Sequence, residues 1–323
     1  MKKSLFIYNA GTLQRRDNTI RFISESGDKK DIPIETVGEI NIMTQMDFNT
    51  SLLNILAQNG IIVHCYNYYD YYIGSFYPKE SFVSGELLVK QVNNYTDLHK
   101  RLKIAQKFID GAADNIYRNV RYYNARGKDL DETLKDIDYI RRNIYKSQSI
   151  TELMGYEGNI RKCYYKSWNI IINQNINFEK RVKNPPDNMI NTLISFVNTM
   201  IYTRVLSEIY KTQLNPTISF LHEPGVRRFS LALDIAEIFK PLLGDRLIFS
   251  LLNKNQITEN SFTEYLNYLH LKKEASQLIA RELDSRMQTT IKHKELNRDV
   301  SYQYLIRLEC YKLIKHLIRR KGI

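Results

Sequence analysis

The sequence predicts an α+β chain in two parts, a small β-rich N-terminal domain (1–84) followed by a larger all-α domain (85–323). Three observations carry this. Short β-branched segments separated by turn residues fill the first part, the texture past Gly85 changes to long stretches of helical period, and the two parts differ in charge balance.

Taken in order, segments 4–8, 19–23, 32–34 and 37–43 read as strands, punctuated by Asn9-Ala10-Gly11, Ser26-Gly27-Asp28 and Pro33. Ile20 to Ile23 and Glu39 to Ile42 partly alternate, as half-buried strands do. One helix interrupts them: Asn49 or Thr50 caps it, Leu52, Leu53, Ile55 and Leu56 form its apolar side, and Gly60 ends it. Ile61-Ile62-Val63 resumes strand character, and an aromatic run from Tyr66 to Tyr77 follows. From 97 to 126 a single stripe holds Leu98, Leu102, Ala105, Phe108, Ile109, Ala112, Ile116 and Val120. Further helices are predicted near 131–145, 151–176, 187–212, 230–240, 261–295 and 300–320, and the boundary between the two parts falls near 78–86.

Composition narrows the class. With 43% hydrophobic and 25% charged residues the chain is not disordered as a whole. No window approaches the roughly 18 apolar residues of a membrane span, and the apolar start breaks at Asn9, Arg15 and Arg16 without a cleavage site. Cys65, Cys163 and Cys310 are too far apart for a metal knuckle and too few for a disulfide framework, so they read as reduced cysteines of a cytoplasmic protein. The net charge is +12, yet residues 1–75 hold seven bases against eight acids. Residues 272–321 hold thirteen bases against six acids. A basic part joined to a near-neutral one points to a polyanion partner such as nucleic acid, contacted chiefly by the second part, although Lys and Arg that simply solvate helix faces account for the charge equally well.

Three segments carry candidate chemistry. In Gly155-Tyr156-Glu157-Gly158 an acid is bracketed by glycines, each costing about 1 kcal/mol against Ala within a helix. That cost is tolerable where another backbone or a ligand comes close. In Leu221-His222-Glu223-Pro224-Gly225 an imidazole follows an apolar run and precedes a tight turn. In Leu231-Ala232-Leu233-Asp234-Ile235-Ala236-Glu237 two acids share a face of an otherwise apolar helix, where each needs solvent or a cation. Singly, each has an ordinary reading: a solvated Glu, a hydrogen-bonded structural His, acids near a helix start. Together, Glu157, His222, Asp234 and Glu237 form a hard, oxygen-rich set suited to Mg²⁺ or Mn²⁺. Such an ion polarises a phosphate and activates a hydroxyl, which points to a metal-dependent nuclease or strand transferase. His222 would bind as neutral imidazole, so activity falls at acidic pH.

At these residues the sequence closely resembles the CRISPR-associated spacer-acquisition integrases, the "protein one" family of prokaryotic adaptive immunity. The resemblance runs through Asn18 to Phe22, Gly60 to Val63, Gly155 to Gly158, Asn191 to Phe196, Leu221 to Gly225, Leu231 to Glu237, Phe239-Lys240-Pro241 and Asp245-Arg246. It implies a homodimerising β-rich domain and a helical catalytic domain. It also implies one divalent metal held by Glu157, His222 and Glu237 with Asp234 assisting, and a small ferredoxin-like companion protein. The implied reaction is transesterification: the 3′-hydroxyl of a captured DNA fragment attacks a phosphodiester at the edge of a CRISPR repeat, and water in its place gives endonuclease activity. Tyr202 falls where some members have an active-site tyrosine, although a packed core tyrosine is equally compatible. Arg227, Arg228 and the basic stretch containing Lys292 and Arg298 are the candidate phosphate contacts. Position 237 is Glu where some members have Asp, and Gln213-Leu214-Asn215-Pro216 replaces a commoner Gly-Leu-Asp-Pro. The competing readings are a free-standing metal-dependent DNA or RNA nuclease, which needs no companion, and a non-catalytic DNA-binding scaffold, which needs no Glu157.

Overall fold

The computed structural model describes residues 2–67, 69–79, 82–183, 185–226, 228–265 and 268–318. The fold is α+β, as predicted, and the chain divides into two compact units, Met1–Ser81 with Ser276–Asp284, and Phe82–Ala275 with Ser285–Ile323.

In the first unit the strands are β1 (Lys3–Ile7), β2 (Gly11–Arg16), β3 (Thr19–Ser24), β4 (Lys29–Pro33), β5 (Val37–Ile42) and β6 (Met46–Phe48). They are followed by α1 (Thr50–Gln58), β7 (Ile62–Tyr66) and β8 (Tyr72–Phe76). They form two four-stranded sheets, ordered β1-β5-β7-β8 and β4-β3-β2-β6. β5 runs parallel to both neighbours and has five of its six residues buried, as a central parallel strand should. The β2–β3 hairpin turns at Asp17 with positive φ, and β3 pairs β4 under a two-pronged Arg21–Asp31 bridge of 2.7 Å at each contact. Asn49 caps α1 by accepting from the Leu52 amide at 3.0 Å, and Gly60, at φ +64°, turns the chain into β7. Ile7, Leu13, Ile20, Ile40, Leu52, Leu56 and Val63 meet in the core of this unit. β2 was not predicted, because its Gln14-Arg15-Arg16 tail hides the alternation, and β8 lay inside the aromatic run.

The second unit contains α2 (Gly85–Thr96), α3 (Leu98–Asn124), α4 (Asp131–Asn143), α5 (Ile150–Ile171), α6 (Met189–Tyr210), α7 (Ser230–Phe239) and α8 (Arg246–Asn253). After these come β9 (Phe262–Tyr265), β10 (Tyr268–Leu271), α9 (Lys273–Gln288), β11 (Thr290–His293), β12 (Arg298–Ser301) and α10 (Tyr302–Ile318). The middle of α9 clusters with the first unit. α6 is the central helix: 16 of its 22 residues are buried, so it has no solvated stripe. Its buried Glu208 is neutralised by Lys211 at 2.8 Å and Arg307 at 2.7 Å. The stripe predicted for α3 is buried from Ala105 to Val120, whereas Leu98 is exposed. Trp168 packs its ring against Tyr164, Tyr165, Phe178 and Phe249.

The prediction of an all-α second part needs correcting. Residues 261–295 do not form one helix, since β9 pairs antiparallel with β10 and, beyond α9, β11 pairs antiparallel with β12. Four-residue strands are too short for a period-2 signal to outweigh the helical period of the helix between them. The helix predicted over 151–176 stops at Ile171, and α8 was not foreseen. No helix among the described residues is long and apolar enough to cross a membrane.

Candidate functional site

α5, α7 and the segment leading into α7 bring the predicted residues together. α5 starts where the Ser149 hydroxyl accepts from the Glu152 amide at 3.1 Å, and it runs unbroken through Gly155 and Gly158. A Cβ on either glycine would meet no atom within 4 Å, so packing among the described residues does not require them. One turn beyond Glu157 stands Arg161, whose Nε donates to Glu157 Oε1 at 3.0 Å. Its Nη2 donates to Glu237 Oε2 on α7 at 2.6 Å. The two carboxylates from separate helices thus flank a single guanidinium. Lys240 closes the other oxygen of Glu237 at 2.6 Å.

α7 is moored at its start, where the Ser230 hydroxyl donates to the Thr217 carbonyl at 2.8 Å and the Leu231 amide to the Pro216 carbonyl at 2.9 Å. This places Asp234, fully buried, beneath the segment that holds the histidine. Asp234 Oδ2 accepts from the Phe220 and Leu221 amides at 2.6 and 2.9 Å, and Oδ1 from the His222 amide at 3.0 Å. The Nδ1 of His222 lies 2.8 Å from the same Oδ1. A carboxylate that accepts a hydrogen bond from Nδ1–H leaves Nε2 as the free lone pair and fixes the ring plane, the usual arrangement behind a metal-binding histidine. The loop is secured on its other side by Arg101, which donates to the Phe220 carbonyl at 2.8 Å and to Glu223 at 2.7 Å.

Burial pushes the Glu237 carboxyl up, but Lys240 and Arg161 outweigh it and hold the group down at about 2. The Arg161 guanidinium is disfavoured by burial, yet Tyr165, Glu237, Glu157 and Asp245 keep it firmly charged. Asp245 fares oppositely. Burial raises it to about 6 despite Arg161, and its Oδ2 has no hydrogen-bond partner among the described residues. It ends the π-helical turn Lys240–Asp245 that joins α7 to α8, a rare element often found beside functional sites. Gly244 in that turn faces α6, where a Cβ would lie 2.8 Å from Ile201 Cδ1.

Glu157, Asp234, His222 and Glu237 therefore gather around α5 and α7. The remaining predicted residues make other contacts, where they are described. Tyr202 on α6 accepts from the Phe229 amide at 3.3 Å and so supports the start of α7. Arg228 donates to the Glu223 carbonyl, and Arg227 lies outside the described residues. Lys292 and Arg298 are exposed on the β11–β12 hairpin, Arg298 with its guanidinium 5.5 Å from the Tyr304 ring. Sequence reasoning missed Arg161 and Lys240. Their signal was present in the spacings Glu157→Arg161 (i, i+4) and Glu237→Lys240 (i, i+3), both of which pair charges on a helix face.

Whether these residues suit a divalent ion is a question of donors and charge. Two carboxylates and an imidazole form a hard set of the kind Mg²⁺ or Mn²⁺ takes, and the carboxylates already enclose a cation between them. Here that cation is the Arg161 guanidinium. As the side chains stand, no three of His, Cys, Asp and Glu among the described residues form a coordinating group. The residues fit such an ion by type and charge, and the place between the carboxylates is taken by Arg161.

The profile of the family described as CRISPR associated protein Cas1 matches residues 5–285. The chain is 62% identical over 321 residues to a CRISPR-associated endonuclease Cas1 of Fusobacterium nucleatum subsp. nucleatum, covering 99% of this chain and 95% of that one. A solved Cas1 protein from Thermotoga maritima superposes with a TM-score of 0.86 at 38% identity, covering 99% of each chain. A casposase bound to integration product shares the fold, with a TM-score of 0.83 at 19% identity over 99% of this chain and 92% of that one.

Proposed function

The chain belongs to the CRISPR-associated Cas1 family, and from that premise we propose that it is a metal-dependent DNA integrase and endonuclease of CRISPR adaptation. It joins the 3′-hydroxyl ends of captured DNA fragments to a CRISPR repeat by transesterification, and the same site hydrolyses DNA when water attacks. Its partners are DNA, a second copy of itself and the small ferredoxin-like CRISPR-associated companion. The single observation that carries this reading is the convergence of Glu157 and Glu237, from two helices, on one enclosed cation beside a histidine oriented by Asp234.

Glu157, His222 and Glu237 would hold Mg²⁺ or Mn²⁺. When bound, the ion supplies Lewis-acid polarisation of the phosphate and stabilises charge on the leaving oxygen. The chain's own residues do the rest. Asp234 fixes the tautomer and plane of His222 so that Nε2 is available as a donor atom. Lys240 and Arg161 keep Glu237 ionised well below neutral pH. Bonds made and broken are both phosphodiesters, so positioning rather than an external energy source lowers the barrier.

The test uses protein, companion, a supercoiled repeat plasmid and labelled duplex with Mn²⁺. Glu157→Ala and the more conservative Glu157→Gln retain DNA binding and lose joining. Unchanged joining in both refutes the site. DNA cleavage without the companion, and no site-specific joining with it, would favour a free-standing nuclease instead.

A further inference from the structure

The second unit holds a base-lined cavity, well separated from Glu157. Its volume is about 1020 Å³, and it is walled by the C-terminal part of α3, the end of α5, α8 and Arg286 near the end of α9. Ile171, in its wall, lies fourteen residues beyond Glu157 on α5, or about 21 Å along the helix at 1.5 Å per residue. Seven of the sixteen lining residues are Lys or Arg, and none is Asp or Glu.

The local partners leave most of this charge in place. Arg118 pairs with Asp114 at 2.6 Å. Three others are held by neutral groups: Arg246 by Asn119 Oδ1 at 2.6 Å, Lys128 by Asn173 at 2.8 Å, and Arg126 over the Tyr122 ring at 4.2 Å. Arg121 and Lys254 are exposed at the rim. Cations oriented by amides and a ring, with no carboxylate among the lining residues, repel one another unless an anion sits between them. The volume is at the top of the range of about 300–1,000 Å³ for small-molecule sites. The bases also come from three helices rather than converging on one point, which suits a run of phosphates better than a single one.

We propose that this cavity is a binding site for the phosphodiester backbone of DNA, holding the strand at a distance from the point of joining. The proposal rests on the DNA-directed function above and deepens it by assigning a contact region that the basic stretch 272–321 largely does not include. The two rim residues carry the test because they are exposed and make no part of the core. The full chain bearing Arg121→Glu with Lys254→Glu binds a labelled DNA oligonucleotide at least tenfold more weakly at low salt. The slope of log affinity against log salt falls by about 1.4–1.8, as two lost phosphate contacts require. A control pair with the same charge change, Lys29→Glu with Lys30→Glu, leaves both quantities near wild type, and circular dichroism and melting temperature match for all three proteins.

Equal losses in the control pair, or unchanged binding in the rim pair, overturn the proposal. So does a rim pair that binds DNA normally but loses a stabilisation by inorganic phosphate seen in wild type, since that outcome assigns the cavity to a small anion. Because binding is read without catalysis, failure of the wild-type protein to join DNA while the rim pair still loses binding would sink the integrase reading and leave this site standing.

Discussion

Replacing Asp234 by Ala removes the acceptor for three backbone amides and for Nδ1 of His222, at 2.6, 2.9, 3.0 and 2.8 Å. A hydrogen bond to a charged group contributes about 1.5–3 kcal/mol, so simple addition over four contacts gives roughly 6–12 kcal/mol. That sum is too large, because His222 is partly exposed and the loop can turn some amides toward water. A loss of about 3–5 kcal/mol is expected, the range for breaking a buried charged network. Asp234→Asn keeps one acceptor oxygen but points an amide N–H at a donor, and costs about half as much. The assay is guanidinium unfolding followed by Trp168 fluorescence. Trp168 is the only tryptophan of the chain and is fully buried in the second unit, so the transition reports the unit that holds Asp234. A change in midpoint at constant slope measures stability. A loss below about 1 kcal/mol for the Ala variant would falsify the claim that this carboxylate builds the histidine loop.

Three further outcomes follow from the same neighbourhood. The Asp245 carboxyl sits at about 6 when folded, because of burial, and near its ordinary 3.8 when unfolded. Its contribution to stability is therefore full below about pH 4 and is lost as pH rises through 6. Asp245→Asn gains on wild type across that window by at most about 3 kcal/mol, and a stability difference that does not vary with pH contradicts this. Arg161→Met removes the cation between Glu157 and Glu237, so the metal-free protein melts earlier while Mn²⁺ raises its melting temperature more than that of wild type. Equal Mn²⁺ shifts contradict the competition. Gly244→Ala drives a methyl to 2.8 Å from Ile201 Cδ1 and 3.1 Å from Val197 Cγ1 and costs about 1–3 kcal/mol in denaturant unfolding. A neutral result would mean that α6 and the π-helical turn separate easily.

Much of this molecule is legible before any coordinates, for definable reasons. A cap at Asn49 or Thr50, the apolar side of α1 and the stripe from Ala105 to Val120 are local patterns, and the structure has them, with the cap at Asn49. Local patterns fail where elements are short or polar. The Gln14-Arg15-Arg16 strand end and the four-residue strands flanking α9 carry too little apolar signal to announce themselves. At the site, residue type singled out Glu157, His222, Asp234 and Glu237, but type alone assigns all four to a ligand. The family resemblance sets Asp234 apart as assisting, and the geometry gives the reason: it spends its lone pairs on backbone amides and the imidazole, whereas Glu157 and Glu237 face a cation. Arg161 and Lys240 escape a reading of donor atoms alone, because it passes over the positive charges that pair with the carboxylates.

The central claim is that Glu157, His222 and Glu237 share one divalent cation, and Mn²⁺ titration calorimetry on the purified full chain tests it without any DNA. One ion per chain is predicted for wild type, with binding abolished or weakened at least tenfold in Glu157→Ala, His222→Ala and Glu237→Ala alike, and strengthened in Arg161→Met. Undiminished Mn²⁺ affinity in all three alanine variants would contradict the account.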